Sequence, residues 1–107
     1  MKMTPLTISE IQIIPVKPRD GLLAFTSFIL NGCLYVGDVG LHARPDGSGY
    51  RLVYPARVLN NGKLVSAVHP IDRTTGDEIE RAVVQAYETL IRKCAEKSHV
   101  NLATSKI

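Results

Sequence analysis

The sequence contains HPIDRTTGDEIERAVVQAYETLIRKCAEK at residues 69–97, and this stretch decides the fold class. Apolar side chains recur along it every three or four positions, which is the spacing of one face of a helix. One amphipathic helix cannot bury such a stripe alone, so the rest of the chain must supply the surface on which it lies. The stripe consists of Ile79, Val83, Ala86, Tyr87, Leu90, Ile91 and Cys94.

The chain before this helix is a series of short strands that end at turn residues. Asp20-Gly21, Asn31-Gly32 and Asn61-Gly62 are typical of tight hairpins, which join antiparallel strands. The sequence therefore predicts an α+β fold, with a curved, largely antiparallel sheet of about five strands followed by one long C-terminal amphipathic helix. We expect a single domain over residues 1–107 with a core from about 8 to 97. The predicted strands cover residues 8–16, 22–30, 33–43, 50–54 and 63–68.

The second predicted strand, LLAFTSFIL at 22–30, is apolar on both of its faces. Successive side chains of a strand point to opposite sides of the sheet. One helix covers only one side, so the other side requires a second cover, such as another subunit. We predict a homodimer interface on that side, formed by Leu23, Phe25 and Ile29.

Composition indicates an ordinary globular protein rather than a disordered or membrane-spanning one. Hydrophobic residues make up 45% of the 107 residues and charged residues 21%. The longest apolar run is too short to cross a bilayer, and the first residues lack the apolar segment of a signal peptide. We therefore expect a cytoplasmic protein without membrane insertion, in which Cys33 and Cys94 are free, buried thiols.

The sequence carries no recognisable catalytic or metal-binding motif. His42 and Asp38 are candidate acid/base groups, but the spacing places no nucleophile or second carboxylate beside them. Neither cysteine belongs to a CxxC motif or to a Cys/His cluster. We therefore expect no enzymatic activity, no cofactor and no metal.

Charge is unevenly distributed along the predicted helix. The net charge is +3, and the acidic residues of the helix precede a basic group formed by Arg92, Lys93 and Lys97. Two interpretations remain open, since these cations can complement the helix dipole or contact nucleic-acid phosphates. Arg51 and Arg57, next to Tyr50 and Tyr54, are further candidates for phosphate contact and base stacking, but they are equally consistent with an exposed sheet surface.

Several short motifs, in this order, resemble the SpoVG family of septation proteins. Together they span roughly residues 8–93, and HPI followed by a helix with Tyr87-Glu88 is their most specific part. The motifs are ISEIQI at 8–13, Asp20-Gly21, FILN at 28–31, YVGDVGL at 35–41, YRLVYPAR at 50–57, SAVHPI at 66–71 and Ile-x3-Val-x3-Tyr-Glu from Ile79.

The resemblance implies a small α+β protein that dimerises through its sheet and has no catalytic activity. It further implies a regulator of septum formation and sporulation that binds DNA or RNA. In the family, the region after the Tyr-Glu pair is associated with DNA contact, which here corresponds to Arg92, Lys93 and Lys97. The alternative is a protein-interaction module of the cell-division machinery that does not bind nucleic acid.

Overall fold

The structure, a computed structural model, describes residues 6–105, with side chains described for residues 6–95. Strands come first and a single long helix follows, which confirms the α+β prediction. The helix, α1, spans Arg73–Ser105. The strands are β1 Ile8–Arg19, β2 Leu22–Leu30, β3 Leu34–Ala43, β4 Tyr50–Val53, β5 Ala56–Val58 and β6 Leu64–Ser66.

The strands form two antiparallel sheets rather than one sheet of about five strands. The main sheet has the order β1-β2-β3-β4, and β5 and β6 pair only with each other. Pro55 separates β4 from β5, and proline has no N–H to donate to a continuing ladder. Its carbonyl instead accepts a hydrogen bond of 2.9 Å from the amide of Ala67, which closes the base of the β5–β6 pair. We call residues 56–66 the ribbon.

Two predicted hairpin turns are confirmed by their backbone geometry. Asp20 and Gly21 have φ of 53° and 87°, and Asn31 and Gly32 have φ of 50° and 68°. Positive φ at both central positions is the condition for a type I′ turn, which matches the twist of the flanking strands. The Asn31 side-chain oxygen also accepts a hydrogen bond of 2.9 Å from the Thr7 amide, which fixes the start of β1 beside this turn.

Bulges interrupt the simple alternation of side chains in the main sheet, and one of them lies between β2 and β3. Thr26 pairs with Val39 and Phe28 with Val36, so three steps along β3 match two steps along β2. Asp38, within this bulge, has a φ of 57°. The extra residue brings Val36 and Val39 to the same side of the sheet, where both are buried. A second bulge, near Glu10 in β1, has the same effect on the isoleucines of that strand.

The core lies between the main sheet and the first half of α1. Phe28, Val36 and Val39 from the sheet form one buried cluster with Ile79 and Val83 from the helix. A polar group is also buried here, because the Thr26 hydroxyl donates a hydrogen bond of 3.0 Å to the carbonyl of Val39. Half-buried side chains around the cluster come from Leu6, Ile8, Ile11, Ile13, Leu30, Leu52 and Tyr54.

The helix begins at Arg73, and Asp72 is its N-cap. The Asp72 carboxylate accepts a hydrogen bond of 3.0 Å from the amide of Thr75, which satisfies a free donor of the first turn. The sequence also offers Thr75, three residues before Glu78, as a capping residue, but the helix has already begun two residues before Thr75.

The second half of α1 projects beyond the sheet. Burial along the predicted stripe ends at Leu90, while Ile91 is 42% exposed and residues 92–95 are all exposed. The helix continues to Ser105 rather than ending near residue 97, so its 33 residues span about 50 Å. The described helix has no stretch long and apolar enough to cross a membrane.

Both cysteines are free, as expected, but neither is buried. Cys33 lies in the turn after β2 rather than within a strand. Cys94 lies on the part of the helix that has already left the sheet, where its place in the apolar stripe no longer leads to burial.

Candidate functional site

Arg92 and Lys93 lie on the projecting part of α1, and both are exposed. Among the side chains that the structure describes, neither has an acidic partner; the ion pair seen on this helix joins Arg73 to Asp77 at 4.0 Å in its first turns. Lys97 lies within α1, but its side chain is outside the described residues. Within the described part of the chain, both cations are therefore accessible to an anionic partner.

The length of the helix tests one of the two interpretations of Arg92 and Lys93, the complementation of the helix dipole. The field of a helix dipole is felt within the last turn. The helix continues for about three turns beyond Lys93, to Ser105. These two cations are therefore too far from the helix end to complement its dipole, and that interpretation does not apply to them.

Arg92 lies beside a pair of aromatic rings. Tyr50 from β4 and Tyr87 from α1 meet edge to face, with ring centroids 5.8 Å apart. Together with Glu88 and Ile91 they line a shallow groove of about 480 Å³. Burial raises the pKa of the Tyr50 hydroxyl above its ordinary value, and the nearby Glu88 carboxylate adds to this shift. The hydroxyl is therefore neutral at physiological pH.

Lys93 lines a different groove from Arg92. This groove, of about 520 Å³, runs between α1 and the edge strand β1, where Ile11 and Ile13 meet Ala86 and Leu90 of the helix. The helix thus carries one cation towards β4 and one towards β1. A ligand that contacts both must lie across the projecting helix rather than inside either groove.

The other predicted cations are not brought to this site. Arg51 pairs with His42 across β3 and β4, and its neighbours Tyr50 and Leu52 contact the helix side, so Arg51 is on the opposite side of the sheet. Arg57 lies on the ribbon, where it pairs with Val65. The structure therefore joins Tyr50 with Arg92 and separates both from Arg51 and Arg57.

The side of the main sheet opposite the helix, which we call the outer face, exposes large apolar side chains. A row across the four strands joins Ile14, Phe25, Gly40 and Val53 by direct pairing. Ile14 is 63% exposed, Phe25 42% and Val53 37%. The predicted interface residues Leu23 and Ile29 are half-buried. Of the residues that the sequence predicts for the interface, Phe25 is exposed on this face; Ile14 and Val53 were not predicted to lie there, because their position depends on the pairing of separate strands.

The structure also gives the positions of the candidate acid/base residues and of the residue types that bind metals. No three His, Cys, Asp or Glu side chains among them lie close enough to hold a metal ion. Asp38 is exposed at its bulge, while His42 lies over Gly40 on the outer face, where a Cβ on the glycine would come within 3.2 Å of the His42 Nε2. His42 therefore belongs to the packing of the outer face, at a distance from the tyrosine pair.

Residues 6–89 match the family model of SpoVG. The chain belongs to the SpoVG family. It is 28% identical to a SpoVG protein of Bdellovibrio bacteriovorus that is named for septation, over 85% of this chain and 82% of the relative. SpoVG proteins of Anaeromyxobacter sp. strain Fw109-5 and Treponema denticola, named in the same way, are 27% and 26% identical. They cover 84% and 78% of this chain and 90% and 87% of their own lengths.

The matched region ends just before the projecting part of the helix. It includes the main sheet, the ribbon and the tyrosine pair, but it stops at residue 89. Arg92 and Lys93 lie beyond it. The family match thus covers the fold and the packed half of α1. It does not include the two exposed cations, so a role for them rests on their position in the structure.

Proposed function

We propose that this SpoVG protein is a non-enzymatic regulator of septation and sporulation in the cytoplasm, and that it binds DNA or RNA as a homodimer. The observation that carries the proposal is the position of Arg92 and Lys93. Both are exposed beyond the buried part of the apolar stripe, without acidic partners among the described side chains and beyond the reach of the dipole. Each can neutralise a phosphate and release its counterions.

The tyrosine pair supports the same assignment. Aromatic rings beside a cationic groove are the usual means of binding unpaired bases, which stack on the rings while cations follow the backbone. Tyr50 and Tyr87 border the groove that Arg92 lines. Glu88 in the same groove repels phosphate, so we place the backbone of the ligand on the Arg92 side and a base near the rings.

A homodimer would double this site. The outer face exposes Ile14, Phe25 and Val53 on the side of the sheet that α1 does not cover. If two copies associate through this face, their helices lie on the outside of the dimer, with two copies of Arg92 and Lys93 related by a two-fold axis. When one nucleic-acid molecule contacts both sites, the second contact is intramolecular and has a high effective concentration. The affinity of the dimer therefore exceeds that of a single site.

The experiment compares two double variants that lose the same charge from the same helix. Arg92→Ala/Lys93→Ala removes the proposed contacts, and Arg73→Ala/Arg81→Ala removes two exposed cations from the packed half. Binding to labelled single-stranded and duplex oligonucleotides is measured by fluorescence anisotropy between about 50 and 200 mM salt. We expect the first variant to lose at least about tenfold in affinity, with a shallower salt dependence and an unchanged melting temperature.

The control variant shows whether the affinity for oligonucleotides depends on the position of the cations or only on the net charge of the protein. Equal losses in both variants would mean that binding depends on net charge alone, and unchanged affinity in the first variant would remove Arg92 and Lys93 from the interface.

A second candidate function is a protein-interaction module of the division machinery that does not bind nucleic acid. The apolar outer face favours it, because exposed patches of this kind mark protein interfaces. A pull-down of division proteins that survives nuclease treatment but is lost in Phe25→Asp would support this candidate.

A further inference from the structure

The ribbon is the least covered part of the described structure. All six residues of β5 and β6 are exposed, although three of them are large and aliphatic. Val58 is 68% exposed, its cross-strand partner Leu64 71% and Val65 47%. Leu59, at the end of β5, is 40% exposed. An aliphatic surface of this kind on a projecting element indicates an interaction site.

Hydrogen bonding alone does not stabilise such an element. A single two-stranded hairpin is marginally stable in water at best, and β5 and β6 have only three residues each. The turn is well formed, since the Leu59 amide donates to the Lys63 carbonyl at 2.8 Å and the Lys63 amide donates to the Asn61 side chain at 3.0 Å. What the ribbon lacks is a packed face, so it requires a partner that is always present.

We propose that the ribbon of one copy packs against the outer face of a second copy of this chain. This inference rests on the homodimer of the proposed function and names the element that completes its interface. A second copy is present wherever the first is made, which meets the need for a permanent cover. The outer face and the ribbon are two uncovered apolar surfaces of one chain, and a two-fold axis lets each copy cover the other in the same way.

The chain itself connects the two surfaces. Val53, the last residue of β4, belongs to the outer face, and the ribbon begins at Ala56 after only two intervening residues. The ribbon thus leaves the sheet from its edge strand, shortly after a residue of the outer face. A stable interface buries about 800 Å² per partner. The partly exposed side chains of Ile14, Phe25 and Val53 provide only a fraction of that area, and the ribbon extends the surface.

The chemistry of the ribbon favours protein over nucleic acid. The paired positions of β5 and β6 carry a single charge, Arg57, opposite Val65. Lys63 adds a second cation only at the turn. Contact with phosphate depends on cations, whereas the best-exposed pair here is Val58 with Leu64.

The test compares two double variants that add the same charge to different parts of the ribbon. Val58→Asp/Leu64→Asp puts two carboxylates into the proposed contact, and Asn60→Asp/Asn61→Asp adds two carboxylates at the turn. Sedimentation equilibrium gives the dimer dissociation constant, and circular dichroism checks the fold. We expect the first variant to raise this dissociation constant at least about a hundredfold, because it places charge in an apolar interface. The turn variant should change the constant by no more than about threefold.

A second measurement does not depend on the variants. In a dimer mixed from isotope-labelled and unlabelled wild-type protein, isotope-filtered NMR reports contacts between copies, and we expect them between the Leu64 methyls and the Phe25 ring. Their absence would overturn the proposal, as would an unchanged dimer in Val58→Asp/Leu64→Asp. The proposal also falls if that variant stays dimeric and loses nucleic-acid binding instead, since the ribbon would then be a nucleic-acid contact.

The homodimer and the ribbon contact are refuted by different results. If Phe25→Asp yields monomers while the ribbon variant stays dimeric, the homodimer of the proposed function stands and the ribbon is not part of it. If the wild-type protein is a monomer at all concentrations, both the dimer and the ribbon contact fall, while nucleic-acid binding by Arg92 and Lys93 is still tested separately.

Discussion

Replacing Tyr54 by phenylalanine should stabilise the protein, because the tyrosine hydroxyl is buried without a hydrogen bond. Within the described part of the chain, this oxygen has no donor or acceptor in reach. Tyr54 itself packs against the core cluster with its ring. Phenylalanine keeps the ring and removes the unpaired hydroxyl, whose burial costs about 1–3 kcal/mol in proteins. We take the lower end of this range, about 1 kcal/mol, because Tyr54 is only half-buried as a residue.

The same burial makes the effect depend on pH. Burial raises the pKa of Tyr54 to about 12, with a smaller contribution from the Glu80 carboxylate. The unfolded value is about 10, so between pH 10 and 12 the folded state holds its proton more tightly than the unfolded state. The stabilisation from this linkage is fully present below pH 10 and is lost as the pH rises to about 12. For a half-buried group we expect the loss to be about 2 kcal/mol or less.

Urea unfolding followed by circular dichroism at pH 7 and between pH 9 and 11.5 measures both effects. The variant should exceed the wild type by about 1 kcal/mol at pH 7, which is about 4 °C or more in melting temperature. The difference in free energy of unfolding between the variant and the wild type should grow above pH 10, because phenylalanine has no hydroxyl to ionise at this site. Tyr35→Phe makes the same chemical change at a residue that is 68% exposed and serves as the control. A destabilised Tyr54→Phe, or pH curves that run parallel, would show that the buried hydroxyl does not destabilise the folded protein.

Three further changes test the packing of the sheet and the start of the helix. Phe28→Ala should cost about 3–5 kcal/mol in urea unfolding, because this side chain is 1% exposed. Phe25→Ala, at 42% exposure on the same strand, should cost less than about 1 kcal/mol when measured on the monomer. Asp72→Ala should cost about 1 kcal/mol by removing the acceptor for the Thr75 amide, and Asp72→Asn should recover most of it; equal losses would exclude capping. Thr26→Val should cost about 1–2 kcal/mol by leaving the carbonyl partner of its hydroxyl unpaired, and a neutral result would show that this bulge does not need the hydrogen bond.

The parts of the fold that depend on local sequence could be predicted. Asp20-Gly21 and Asn31-Gly32 form the expected turns because few other residue pairs accept positive φ at both positions. The amphipathic stripe located the helix and its buried residues Ile79 and Val83. The apolar strand at 22–30 correctly indicated that Phe25 points away from the helix. Each of these features depends on residues that are close together in the chain.

The features that sequence reasoning missed depend on the pairing of distant segments. The bulge at Asp38 reverses the side to which later residues of β3 point, and no local signal fixes the size of that shift. Arg51 and Tyr50 are adjacent in sequence, yet the strand sends them to opposite sides of the sheet. The contact between Tyr50 and Tyr87 requires the angle at which the helix crosses β4, and this angle follows from the packing of the whole core.

The boundary of the family match coincides with a physical boundary of the helix. The match ends at residue 89, and burial of the apolar stripe ends at Leu90. Up to this point the residues of the apolar stripe have to fit the sheet, so packing restricts the side chains that the fold accepts at those positions. Beyond it Arg92 and Lys93 face solvent, and the fold accepts almost any good helix former there. The presence of cations at these positions is therefore not required for folding, and this supports the proposal that they contact an anionic partner.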